Sequence, residues 1–112
     1  MKQIIALPVL KDKLSRHFGN CDKFAMVSID DQKIDRIEFV DPPAHKPGAF
    51  PKFMAENGVN VVLAYGMGDK ATAILTRNKI KTIKGVDVDT PENIVNKYLK
   101  GELVHRDVPC EH

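Results

Sequence analysis

Asn60-Val61-Val62-Leu63-Ala64-Tyr65-Gly66-Met67-Gly68-Asp69-Lys70-Ala71 is the stretch that decides the fold. Its first six residues carry no charge and read as a strand covered on both faces. Gly66-Met67-Gly68 reads as a tight turn. Residues 69–78 then place Ala71, Ile74 and Leu75 along one helical stripe. A buried strand that feeds a helix through a glycine turn is the βα unit of a parallel sheet. Toward the C-terminus, Ile80 to Ile83 reads as a short strand. Thr90-Pro91-Glu92-Asn93 is a helix start, with an N-cap and then proline at the first helical position. Ile94, Val95, Tyr98 and Leu99 form that helix's buried stripe, and Gly101 ends it.

Toward the N-terminus the grammar changes. Residues 3–9 are a nearly continuous apolar run, the mark of another covered strand. Residues 11–22 mix Lys, Asp, Ser, Gly and Asn and read as a loop. Phe24 to Ile29 and Ile34 to Val40 are strands joined by Asp30-Asp31-Gln32, a hairpin. Asp41 to Gly48 is a proline-rich connection. Pro51 suits the first turn of a helix whose face holds Phe50, Phe53 and Met54, with Gly58 ending it. The order β-β-β-α-β-α-β-α implies an α/β fold with a mixed sheet of about five strands and helices on its faces. Residues 1–103 read as a single α/β domain and 104–112 as a C-terminal tail, with no internal repeat.

Composition removes several functions. The chain has 112 residues, the size of one domain. Lys+Arg is 17 and Asp+Glu 15, so the net charge is only +2, which gives no case for a nucleic-acid partner. No apolar run approaches the ~20 residues of a membrane span. The first eight residues lack the apolar core of a secretory signal. The expectation is a cytoplasmic protein that meets neither nucleic acid nor membrane, with Cys21 and Cys110 as thiols.

The residues with chemistry to offer sit in the irregular segments. His17 and Cys21 lie in the first loop, His45 in the proline-rich connection, Cys110 and His112 in the tail. Taken singly, such histidines read as surface residues and Cys21 as a small buried hydrophobe. Together they are the thiolate and imidazole ligands of soft and borderline metals. Their spacing does not build a complete site. Gly19 interrupts the His17-to-Cys21 spacing, and Cys110-x-His112 is tighter than the usual zinc pair. Two cysteines fall short of the four thiolates of an ordinary iron–sulfur centre. An incomplete set suits a preformed cluster that is held by a few side chains and released again. The turn at Gly66, Met67 and Gly68, with Lys70 at the helix start, offers backbone N–H groups and positive charge to an anion, though Met67 reads equally as packing. Motifs of P-loop, Gly-x-Ser-x-Gly or His-Glu-x-x-His type are absent, so the chain reads as a non-enzyme.

In this order the motifs resemble a known family. Ser15-x-His17-Phe18-Gly19-x-Cys21-x-x-Phe24, His45-x-Pro47-Gly48-x-x-Pro51-x-Phe53, Gly58-Val59-x-Val61-Val62 and Gly66-Met67-Gly68 with Ala71 are similar to the dinitrogenase iron–molybdenum cofactor biosynthesis family. This is the nitrogenase accessory factor-like group of the NifX and NifB C-terminal type. Cys110-x-His112 resembles the ending of its small stand-alone branch. The resemblance implies a ribonuclease H-like three-layer α/β/α fold. It also implies the binding, carrying or assembling of an iron–sulfur or iron–molybdenum-type cluster or its precursor, without turnover. Carried over by position, His17 and Cys21 are metal ligands, with Cys110 and His112 added from the tail. Gly66, Met67, Gly68, Lys70 and His45 would contact the cluster. Tyr65 stands where the family often has another glycine, which narrows the pocket. The partners implied are the cluster itself or a cluster-assembly protein, met by a monomer or homodimer. Two alternatives stay open: a zinc- or redox-responsive interaction module closed by the tail, and a phosphate or nucleotide binder at Gly66 to Lys70.

Overall fold

The computed structural model describes residues 2–18, 21–44 and 48–103. The elements run β1 (Lys2–Leu10), β2 (Lys13–Leu14), β3 (Lys23–Asp30), β4 (Lys33–Val40), α1 (Ala49–Glu56), β5 (Val61–Leu63), α2 (Asp69–Arg77), β6 (Lys81–Ile83) and α3 (Pro91–Leu99). They build a mixed sheet in the order β4-β3-β1-β5-β6, with β2 attached to β1. The pairs β1·β2, β1·β3 and β3·β4 are antiparallel, and β1·β5 and β5·β6 are parallel. The expected element order holds, and the sheet has six strands because of β2. Two residues are too few to leave a period, so the sequence of this strand reads as loop.

Strand β1 divides the core. Ile5, Leu7 and Val9 face one side and pack with Ile94 and Val95 of α3. Ala6 faces the other side, where Phe50 and Met54 of α1 and Leu75 of α2 pack. The result is three layers, α/β/α, with one helix on the first face and two on the second. Period-2 alternation along a doubly covered strand requires this division. Phe24 is fully buried at the aromatic centre of the second face, with ring centroids 5.8 Å from Phe18 and 5.2 Å from Phe50.

Chain direction places the functional rim. From β1 the chain goes to β3 on one side, and from β5 it goes to β6 on the other. Parallel neighbours whose connections diverge open a crevice beyond their carboxyl ends, where α/β sheets bind ligands. The loop after β2 and the turn after β5 meet there. α3 begins as expected: the Thr90 hydroxyl accepts from the Asn93 amide at 3.4 Å. The Asp89 carboxylate accepts from the Asn93 side chain and the Thr90 amide, and these bonds hold its pKa below the usual carboxylate value. Among the described residues no helix is long and apolar enough to cross a membrane.

Both hairpins close through two-residue turns at positive φ. Lys11 and Asp12 have φ of 52° and 71°, and Asp31 and Gln32 have 55° and 65°. Such turns match the twist of the strands, but each left-handed non-glycine residue costs about 1–2 kcal/mol. Gln32→Gly is therefore expected to stabilise the fold by about 0.5–1 kcal/mol, after allowing for the freer unfolded chain. Urea unfolding reads this directly, and a lowered midpoint would contradict the turn.

Candidate functional site

The rim is built from the first hairpin outward. Asp22 holds the strained turn by accepting from the Lys11 amide at 3.2 Å. β2 is tied across the rim by the Leu14 amide, which donates to the Asp89 carbonyl at 3.0 Å. Ser15 is buried; its amide donates to the Pro8 carbonyl at 2.8 Å. Its hydroxyl donates to the His17 carbonyl at 2.9 Å, and the His17 amide lies 3.2 Å from that same oxygen. Residues 15–17 are thus folded back on a buried hydroxyl, and the Arg16 and His17 side chains stay exposed.

This loop rests on the turn after β5. The Phe18 amide donates to the Gly66 carbonyl at 3.1 Å, and the Phe18 ring is buried against Phe24 and Phe50. A Cβ at Gly66 would sit 2.9 Å from the Arg16 backbone oxygen. Gly66 is therefore required by a close approach of protein backbone. The Arg16 guanidinium lies over the Tyr65 ring, 6.0 Å from its centroid, at the outer limit of a cation–π contact. Gly68 differs: a Cβ there meets nothing within 4 Å. It supplies the extended N-cap residue of α2, whose first turn carries Asp69. Met67 is buried among the aromatic core residues, so its thioether serves packing. Lys70 is exposed on the first turn of α2.

A depression of about 490 Å³ opens beside the loop. Lys11, Lys13 and Arg16 supply three cations, and His17 an imidazole. Leu10 and Val88, about 40% exposed, form an apolar lip. No carboxylate lines it among the described residues. An anion of small-ligand size fits both the charge and the volume.

Cys21 stands apart from this wall. It is half-buried against the core of the α1/α2 face. Burial first, then the charge of Asp22, push its thiol up from an ordinary 9.0 to about 11, against a backbone hydrogen bond with Val9 that pulls it down. At neutral pH it is a protonated thiol, which is a poor metal ligand until a metal displaces the proton. His17 and Cys21 are thus neighbours in sequence in different settings. Among the described residues no three His, Cys, Asp or Glu side chains could hold a metal ion together. His45, Cys110 and His112 lie outside the described residues.

A family model described as dinitrogenase iron-molybdenum cofactor matches residues 1–101. The chain belongs to the dinitrogenase iron-molybdenum cofactor family. It is 30% identical to MJ0580, an uncharacterized Methanocaldococcus jannaschii protein, over 104 residues that make up 88% of this chain and 87% of that protein. The crystal structure of PH0822 superposes with a TM-score of 0.84 at 27% identity, covering 94% of each chain. The apo form of the orange protein from Desulfovibrio gigas superposes with a TM-score of 0.76 at 25% identity, covering 97% of each. Family membership agrees with the motifs around His17 and Gly66.

The cations Lys11 and Lys13 and the lip residues Leu10 and Val88 were not singled out by sequence reasoning. Their only signal is a pair of lysines flanking Asp12, and a Lys-Asp turn lacks the glycine that marks a hairpin. Lys23, at the start of β3, is ion-paired with Asp41.

Gly66→Ala is expected to destabilise the protein by about 1–3 kcal/mol through overpacking and to speed hydrogen exchange at the Phe18 amide. Gly68→Ala should do neither. Equal effects of the two would show that the loop does not rest on Gly66. The Cys21 thiol predicts a second observation, made in a Cys110→Ser background. Native Cys21 should react with a disulfide reagent at pH 8 about tenfold or more slower than the unfolded chain, because its thiolate fraction falls further than its nucleophilicity rises. Because folding raises this pKa, its stabilising share is complete below pH 9 and lost as pH rises toward about 11. Equal native and unfolded rates would contradict the buried thiol.

Proposed function

We propose that this chain binds and carries an anionic iron–sulfur or iron–molybdenum-type cluster, or a precursor of one, and hands it on unchanged. The observation that carries this reading is the depression at the carboxyl end of β1, with three cations and His17 on its wall and no carboxylate lining it among the described residues. Metal–sulfide clusters of this kind are anionic cargo. The cations attract the cargo, the apolar lip covers part of it, and His17 offers one exchangeable ligand. His45, Cys110 and His112 are proposed as further contacts. Cys21 becomes a ligand only when metal replaces its proton.

The grip is loose by construction. An exposed ion pair in water is worth about 1 kcal/mol at 4 Å, and physiological salt screens it over about 8 Å. Three such pairs hold a cluster by a few kcal/mol at most, which suits exchange with a cluster-assembly partner. The free thiol of Cys21 accords with a cytoplasmic setting.

Anaerobic incubation with iron, sulfide and molybdate, followed by metal analysis and visible absorption, tests this. Lys13→Glu/Arg16→Glu is expected to lower loading by about tenfold or more, and added salt should weaken loading by the wild type. Cys21→Ala should retain most of it. Full loading by the charge-reversed variant would overturn the proposal.

A further inference from the structure

Strand β4 ends the sheet, and among the described residues only β3 pairs with it. Its outer edge therefore presents backbone N–H and C=O groups that pair with no other strand among the described residues. Proteins usually blunt such an edge with like charges, proline or a bulge. Here the bulge covers half of the strand. Ser28 registers with Arg36 and Ile29 with Ile34, which leaves Asp35 as the extra residue. The C-terminal half, Arg36 to Val40, stays regular.

That half carries a self-complementary pattern. Ile37 and Phe39 register with Val27 and Ala25, on the face covered by α3. Phe39 is 53% exposed there, the most exposed large apolar side chain among the described residues. Arg36 and Glu38 register with Ser28 and Met26 on the opposite face. They pair at 2.8 Å, yet remain 66% and 51% exposed, so both can reach across the edge. One positive and one negative group thus flank Ile37 symmetrically.

We propose that β4 is the edge through which two copies of this chain associate, antiparallel about a two-fold axis at Ile37. With Ile37 opposite Ile37 of the second copy, each Arg36 lies across from a Glu38, twice over. Shifting the axis by one residue sets Arg36 against Arg36 or Glu38 against Glu38, which is repulsive. Only the central register satisfies both charges, and its complement is the same strand reversed. On the other face the two Ile37 side chains meet, with Phe39 of each copy at the diagonal position, where an aromatic ring reaches its neighbour. Because β4 runs parallel to β1, the two cation-lined depressions lie at opposite ends of the joined sheet, and each stays whole within its own chain. The short paired segment makes the association weak.

Sedimentation equilibrium from about 10 µM to about 1 mM tests the proposal at low salt. The wild-type mass should rise with concentration from 12.5 kDa toward twice that value. Arg36→Glu and Glu38→Arg should each remain monomeric, with association weakened about tenfold or more. A mixture of the two variants should associate again, and so should Arg36→Glu/Glu38→Arg. Circular dichroism on every variant confirms folding, so a monomeric mass reports the edge and not an unfolded chain. A wild type that stays at 12.5 kDa over the whole range, single variants that associate as the wild type does, or a mixture that fails to associate would overturn it.

Discussion

The Arg16 backbone oxygen lies 2.9 Å from the place where a side chain at Gly66 would begin. Everything at the rim depends on that missing methyl group. It lets the first loop lie flat on the turn after β5, so the Phe18 amide reaches the Gly66 carbonyl and the Phe18 ring enters the core. The buried end of the loop is thereby fixed. Its outer side is left to present Arg16 and His17 to solvent beside Lys11 and Lys13. Two segments some fifty residues apart are thereby locked together, and the first of them lines the depression.

That wall changes the chemistry from soft-ligand coordination toward electrostatics. Of the histidine and cysteine that share a motif, only the histidine lines the depression. His17 lines the depression, whereas Cys21 turns to the core and keeps its proton. A site made chiefly of exposed cations binds an anion quickly and weakly, and salt tunes it. A carrier needs that balance, since a cluster held by several thiolates would leave slowly. On the proposed reading, the half-buried thiol would become a ligand only when a metal displaces its proton.

Most of the fold was legible because doubly covered strands and amphipathic helices write long apolar signals. The strand at Val61–Leu63, the helix with Ala71, Ile74 and Leu75, and the cap at Thr90 all lie where those signals put them. β2 was illegible because two residues carry no period. At the site, Gly66 was legible as a special position, but its reason was not. Sequence suggests backbone opened to a ligand, and the structure shows the close approach of the Arg16 carbonyl. Met67 reads alike as a thioether ligand or a core residue until its burial is known. Lys11 and Lys13 were hidden by a left-handed turn built without glycine. The partial burial of Cys21 was illegible because spacing along the chain does not reveal what a side chain packs against.

Amide NMR tests most directly whether the cations beside the Gly66-supported loop bind an anion. Tetrathiomolybdate, a molybdenum–sulfur dianion, would be titrated into the protein at low and at physiological salt. Shifts are expected to concentrate at residues 10–18, 65–68 and 88, weaker at the higher salt. Shifts centred on Asp87 to Leu103 or on the outer edge of β4, with residues 10–18 silent, would contradict that binding.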